Sequence, residues 1–297
     1  MARISFIGFG ELGAGLAERL GASKAHDLRA WIRARADRTA DDALSQRVAS
    51  AGVERCPSLG EAVAGADAVL SVVPGTASRP TAERSAEFLD PGALYVDLTT
   101  TAIADKEAGA RAVQGAGGRY VDAAVLGAAA VAGATLPIVA SGDGAHEWRE
   151  LSRCEGLSTQ VLDGPAGRAT QLKLLRSAYM KGRDALVVET LLAARRVGLE
   201  DRLAASIEGA GERVPFPDLA DRVLRSLAVH AERRARELSE SADALLAVGV
   251  DPQLARAGAD VLQRVADTGL REELGGERPD SGAAVLALLD ERMTSEE

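Results

Sequence analysis

The pattern of apolar and polar positions changes character partway along this chain. Up to about residue 162, short apolar runs alternate with helix-like stretches. Residues 2–7 read as a strand, and a helix-like segment covers 14–20. Segments 28–32, 66–73, 93–98, 119–125 and 136–140 read as further strands, with helical stretches between several of them. This alternation predicts an α/β domain with a doubly wound, mainly parallel sheet. Beyond 164–167 the strand-like runs stop. From 169 to about 197 there is no proline, and Leu172, Leu175, Tyr179, Leu186, Val187, Leu191 and Ala194 recur at helical spacing. One long helix is expected there, ending near Gly198 and joining two domains. The remainder is rich in Ala, Leu, Arg and Glu, punctuated by Pro215, Pro217, Gly249, Pro252 and Gly269. It predicts an all-α domain with a frayed tail at 294–297. The expected division is 1–163 and 164–297.

The first strand runs straight into Gly8-Phe9-Gly10-Glu11-Leu12-Gly13. In a strand–turn–helix context, G-x-G-x-x-G is a dinucleotide fingerprint of the Rossmann type. The first glycine permits the turn, the second lets backbone approach a pyrophosphate, and the third lets helix pack on strand. The helix N-terminus then offers free N–H groups to the phosphates. Gly8, Phe9, Gly10, Glu11, Leu12 and Gly13 are therefore cofactor-binding candidates. Val73 and Pro74, ending the 66–73 strand, join them by position, and Pro74-Gly75-Thr76 is expected to close over the nicotinamide ribose.

The nucleotide type turns on the end of the second strand. An NAD site usually places Asp or Glu about 20 residues after the glycines, to bind the ribose 2′-OH. Here the position holds Arg33, followed by Ala34 and Arg35, with Asp37 too late. A guanidinium suits a 2′-phosphate, so NADP(H) is favoured over NAD(H). The glycines alone also fit FAD.

Composition narrows the setting. The chain has 297 residues, 46% of them hydrophobic, which suffices for a large core or two ordinary domains. Its net charge is −9, which argues against nucleic acid or an anionic membrane as a partner. Cys56 and Cys154 cannot make a disulfide framework, and His26, His146 and His230 lack metal-ligand spacing. No apolar run reaches membrane-spanning length, and the N-terminal run is only strand-length, so a cytoplasmic, reduced protein is expected. Only four of the 35 basic residues are lysines: Lys24, Lys106, Lys173 and Lys181. Where positive charge alone is needed, this chain uses Arg.

Lysine at 173 therefore draws notice. Hydride transfer to a carbonyl leaves an alkoxide that needs a proton. An ammonium can donate it, and an amine can take it back. Burial beside a positive ring would lower a lysine pKa toward neutrality, whereas Arg cannot serve. Lys173 opens the long helix in Gly164-Pro165-Ala166-Gly167-Arg168-Ala169-Thr170-Gln171-Leu172-Lys173. This segment resembles the catalytic signature of the β-hydroxyacid dehydrogenase superfamily, which includes 6-phosphogluconate dehydrogenase. Gly8–Gly13 resembles that family's cofactor motif. Val96-Asp97-Leu98-Thr99-Thr100 resembles its D-x-S-T segment beside the nicotinamide, and 120–127 resembles its substrate-side D-A-P-V-S-G-G. Order and spacing agree over 1 to about 198. Residues around Lys173, Lys181, Glu189 and 230–237 also look like a bacterial branch with a poorly characterised phosphogluconate-dehydrogenase-like C-terminal domain.

The resemblance implies an NADP(H)-dependent oxidoreductase acting on a small hydroxy/keto, 3-hydroxy-acid-like substrate. Lys173 would be its general acid/base and Thr99 a further cofactor contact. Leu126, Gly127, Ser177, Lys181 and His230 would be substrate-side residues. Leu126 stands where the family has Ser, Ala128 where it has Gly, and Ser177 where most members have Asn, which puts the usual substrate in doubt. The resemblance also implies a homodimer through the C-terminal helices. His230, Arg233, Arg234 and Glu237 share one helix face there, readable as a substrate-reaching face or as a salt-bridged surface. Two alternatives remain: an imine reductase on the same fold, whose members generally lack Lys at this position, and a non-catalytic NADP(H)-binding regulatory protein.

Overall fold

The computed structural model describes residues 1–33, 38–127, 137–209 and 214–293. Ala34, Arg35, Asp37, Ala128, Leu136 and the tail 294–297 lie outside the described residues. Two compact units divide the chain, residues 1–177 and 178–297. The first thus reaches past the boundary expected after Asp163.

Among the described residues, unit 1 is built on one eight-stranded sheet. Its elements begin β1 (Ala2–Ile7), α1 (Glu11–Ala22), β2 (His26–Trp31), α2 (Arg38–Ser50), β3 (Glu54–Arg55) and α3 (Leu59–Val63). Then come β4 (Ala68–Ser71), a short 3-10 turn at Gly75–Ala77, α4 (Ser78–Ala86), β5 (Leu94–Asp97) and α5 (Ile103–Gly115). β6 (Arg119–Val125), β7 (Pro137–Ser141), α6 (Ala145–Cys154) and β8 (Ser158–Val161) complete it. The strand order is β3-β2-β1-β4-β5-β6-β7-β8, parallel except where β7 runs against β6. The parallel core is as expected. β3 and β8 are additions: both are short, polar and at the sheet edges, so they carry little hydrophobic signal. The central strands are buried on both faces, as helices on each side require.

Local chemistry sets several boundaries. Ser58 Oγ accepts the N–H of Glu61 at 3.1 Å and starts α3, while Ser58 also bonds the Glu61 carboxylate at 2.9 Å. This is the Ser-x-x-Glu cap. Trp148 is fully buried under the sheet with Leu16, Leu20 and Ile138.

α7 (Arg168–Arg196) is the long helix expected from the spacing, and it runs through the division between the units. Unit 2 continues with α8 (Glu200–Gly209), α9 (Phe216–Ala247), α10 (Gln253–Asp267), α11 (Leu270–Glu273) and α12 (Gly282–Met293). All its described elements are helical. α9, α10, α11 and α12 share a small core of Ala228, Ala231, Val265, Leu270, Val285 and Leu289. Glu189 of α7 accepts the N–H groups of Leu254 and Ala255 at 3.1 and 3.2 Å, capping α10. The apolar positions of α7 are largely uncovered: Leu175 is 65% exposed and Val188 58%. The spacing forecast the helix correctly, but most of those apolar positions are exposed among the described residues. No helix among the described residues is long and apolar enough to cross a membrane.

Candidate functional site

The three motif glycines behave differently, and each for a visible reason. Gly8 has φ +86°, and a Cβ there would meet the Val72 carbonyl oxygen at 3.0 Å. Only glycine suits both the turn and the close pass over β4. Gly10 has open space where a Cβ would stand, so a ligand can reach its backbone. A Cβ at Gly13 would lie 3.1 Å from Val72 Cγ2, where α1 packs on the sheet. Among the described residues no side chain caps α1, whose N-cap is Gly10. Its first N–H groups are therefore available to an anion.

This turn lies where β1 separates β2 from β4, the point at which the strand order changes direction. A cavity of about 830 Å³ opens there. Gly8, Phe9, Gly10, Trp31, Arg33, Val73 and Pro74 line it, together with Arg47 of α2 and Arg84 of α4. Its size, its place beyond the strand ends and the uncapped α1 fit a dinucleotide. Glu11, Leu12 and Gly13 follow the turn without lining the cavity. Thr99 is buried instead, with its N–H given to Asp97 Oδ1 at 2.9 Å. Sequence reasoning missed Arg47 and Arg84, because their helices bring them to the cleft from distant positions. Many other guanidiniums of unit 1 face a carboxylate, as in the pairs Arg3–Asp27, Arg55–Asp41 and Arg79–Glu83.

The loops after β4 and β5 touch beside this cleft. A Cβ on Gly75 would overlap the Thr100 carbonyl oxygen, so no side chain fits there. Thr100 also accepts a hydrogen bond from Lys173, Nζ to Oγ1 at 2.7 Å. The motif lysine thus stands at the carboxyl end of β5, next to the loop bordering the cavity.

A buried charged cluster holds the two sides of that contact. Lys106 of α5 is fully buried, with Nζ 3.0 Å from Asp97 Oδ1 and 3.4 Å from Asp122 Oδ1. It also donates to the Asp97 carbonyl oxygen at 2.9 Å. Burial pushes the Asp97 carboxyl up, but the Lys106 charge and hydrogen bonds from Ser78, Tyr120 and Thr99 hold it below its ordinary value. The same setting pushes the Tyr120 hydroxyl up, through burial first and the Asp97 charge second. Tyr120 therefore stays a donor, 2.6 Å from Asp97 Oδ2. Asp122 Oδ2 accepts the N–H groups of Gly167 and Thr170 at 3.0 and 2.9 Å, and Oδ1 the Thr170 hydroxyl at 2.7 Å. A carboxylate at the start of α7 also complements its dipole.

The other sequence candidates fall on both units. Leu126 is half-buried against Ala124, Val139 and Ala169, and Gly127 is exposed at φ +137°. Ser177 is half-buried at the end of unit 1. Lys181 and His230 are exposed residues of unit 2. Arg233 pairs with Glu237 at 2.5 Å, and Arg234 donates to Ser226 at 2.8 Å, which makes this face of α9 a bonded helix surface. Burial is the main cause raising the Cys56 thiol above its ordinary value, with the Arg29 charge opposing it.

Comparison with known proteins gives these features a context. Residues 3–154 match the family model described as the NAD binding domain of 6-phosphogluconate dehydrogenase. Residues 194–265 match a domain of unknown function, DUF1932. An uncharacterized 28.5 kDa protein of Methanothermus fervidus is 26% identical over 84% of this chain and 93% of its own. A solved protein of unknown function, described as structurally similar to 3-hydroxyacid dehydrogenases, is 31% identical, with TM-score 0.61 over 89% of this chain and 98% of its own. An imine reductase from Aspergillus terreus, solved with NADPH4 and dibenz[c,e]azepine, shares the fold at TM-score 0.73 and 17% identity, over 93% and 96% of the two chains.

Proposed function

The chain belongs to the 6-phosphogluconate dehydrogenase-like superfamily of NAD(P)-dependent oxidoreductases, and on that premise we propose that it moves a hydride between NADP(H) and a small hydroxy or keto compound, with Lys173 as general acid and base. The observation that carries this reading is the Lys173–Thr100 bond beside the nucleotide cleft. The bound nicotinamide would donate or accept the hydride. Lys173 would give its proton to the forming alkoxide oxygen and recover it in the reverse direction. Thr100 Oγ1, by accepting from Nζ, aims the ammonium. Leu126, half-buried near the start of α7, favours a substrate with an apolar part. A panel of hydroxy acids, keto compounds and cyclic imines, followed at the NADPH absorbance band, tests the reading. Turnover confined to imines would transfer the activity to imine reduction, which the Aspergillus likeness keeps in view. Tight binding with no turnover of any class would favour the regulatory reading.

Arg33 and Arg47 line one cavity and are proposed to hold the 2′-phosphate. A charge-assisted hydrogen bond contributes about 1.5–3 kcal/mol, and about 1.4 kcal/mol is tenfold in affinity. Arg33→Ala is expected to weaken NADPH binding by about tenfold or more while leaving NADH within about twofold. Equal losses for both nucleotides in a titration would remove the 2′-phosphate assignment.

A second copy of the chain is the proposed cover for the apolar face of α7. Tyr179, Leu186, Val187, Leu191 and Leu192 are each over 40% exposed, more apolar side chain than one solvated helix usually shows. Sedimentation equilibrium is expected to give twice the chain mass, and Val188→Glu to give one chain mass. A monomeric parent protein would rule the dimer out.

A further inference from the structure

The buried cluster around Lys106 has no ligand to bind, because it is sealed from solvent. Its connections run instead toward Lys173 by two separate routes. Along the first, Lys106 touches both the carboxylate and the carbonyl oxygen of Asp97, at 3.0 and 2.9 Å. Asp97 Oδ1 in turn takes the Thr99 N–H at 2.9 Å, which bends the chain after β5 and presents Thr100. Along the second, Lys106 faces Asp122, which holds the N–H groups of Gly167 and Thr170 and the Thr170 hydroxyl. Lys173 follows one helical turn after Thr170. The two routes meet again at the Lys173–Thr100 bond of 2.7 Å.

Simple burial of apolar residues would have joined these segments at lower cost. Removing an ammonium and two carboxylates from water is expensive, and hydrophobic replacements of such clusters are often neutral or stabilising. Directional contacts do something apolar packing does not: they fix an angle and a distance. Asp122 is engaged by both backbone and side chain of α7, which restricts sliding and rotation of its first turn. Asp97 is held from four directions, by Lys106, Ser78, Tyr120 and Thr99.

We propose that Lys106 is a positioning residue that, through Asp97 and Asp122, sets where the Lys173 ammonium stands against Thr100. The significance for catalysis rests on the reading of Lys173 given above, but the positioning itself does not. It can be measured without substrate. Reductive methylation with ¹³C-formaldehyde labels accessible lysines, and buried Lys106 is shielded, leaving Lys24, Lys173, Lys181 and the amino terminus as a small set of NMR signals. A dimethylated ammonium still carries one N–H for Thr100. The readout is the change in the Lys173 methyl signal caused by Thr100→Val, at fixed pH, in the parent chain and in Lys106→Met. Coupled groups show non-additivity in such a cycle. The expected result is that Thr100→Val shifts the signal in the parent and that this shift is lost in Lys106→Met, while the Lys24 and Lys181 signals stay in place. Thr170→Val, which removes only the hydroxyl bond to Asp122, is expected to reduce the shift as well, and it serves alone if Lys106→Met does not fold. A full-sized shift in Lys106→Met, or in Thr170→Val where that stands alone, would overturn the proposal. So would no shift in the parent. Absence of turnover in the substrate panel would leave this result untouched, so the two ideas fail separately.

Discussion

Lys173→Ala is expected to cut turnover by about 10²–10⁴-fold, the usual contribution of a positioned general acid or base, while NADPH binding stays within about twofold. Lys173 does not line the nucleotide cavity, whose boundary comes from the β1, β2 and β4 ends and from α2 and α4. Its bond is to Thr100, outside that lining. Truncation is therefore expected to spare the cofactor and remove the proposed proton donor. Lys173→Arg is the sharper variant, since it keeps the charge and the hydrogen-bonding capacity but cannot release a proton near neutral pH. It is expected to be nearly as inactive as Lys173→Ala. Once a substrate is in hand, steady-state kinetics together with a fluorescence titration of NADPH decide the matter. Parental turnover in Lys173→Arg would show that charge alone is required there.

Asp122→Ala is expected to destabilise unit 1 by about 3–5 kcal/mol, the range for breaking a buried ion pair by removing one partner. The substitution leaves Lys106 with Asp97 as its one remaining carboxylate among the described residues. It also orphans the N–H groups of Gly167 and Thr170 and the Thr170 hydroxyl. Both tryptophans, Trp31 and Trp148, belong to unit 1. Tryptophan fluorescence during urea unfolding of the whole chain therefore reports this unit. A loss under about 1 kcal/mol would mean that α7 needs no carboxylate at its start. The cluster also predicts acid sensitivity. Asp97 titrates below its unfolded value near 3.9. Its stabilising contribution is thus complete above about pH 4 and is lost as pH falls through the lowered folded value.

Much of the cleft lining was legible in the sequence, because it is made by contiguous residues. Gly8, Gly10 and Gly13 act over a single turn, and Arg33 and Pro74 sit at strand ends. Arg47 and Arg84 were not legible, since an exposed arginine on a helix looks the same whether it faces solvent or a cleft. Lys106 was counted among four lysines without being recognised as buried. Its signal was present but weak: a lysine on a helix between two strands that each carry an aspartate, Asp97 and Asp122. Nothing in one sequence says that both carboxylates turn toward it. Thr99, expected at the cofactor, went into the interior because the Asp97 carboxylate captures its N–H.

By itself the sequence determined the α/β unit, the helical unit, the long helix α7 and the pairing of a glycine-rich turn with a motif lysine. Each of these is set by local periodicity or by backbone rules that act within a few residues. Tertiary structure alone decided that Lys173 meets Thr100, that Asp122 holds the start of α7, and that the first compact unit runs to Ser177. Those outcomes depend on hydrogen bonds between segments 45 to 73 residues apart. A hydrogen bond needs its donor and acceptor within about 3 Å. Hydrophobic spacing selects which face of an element turns inward, but it does not specify which polar atoms will meet when the faces close.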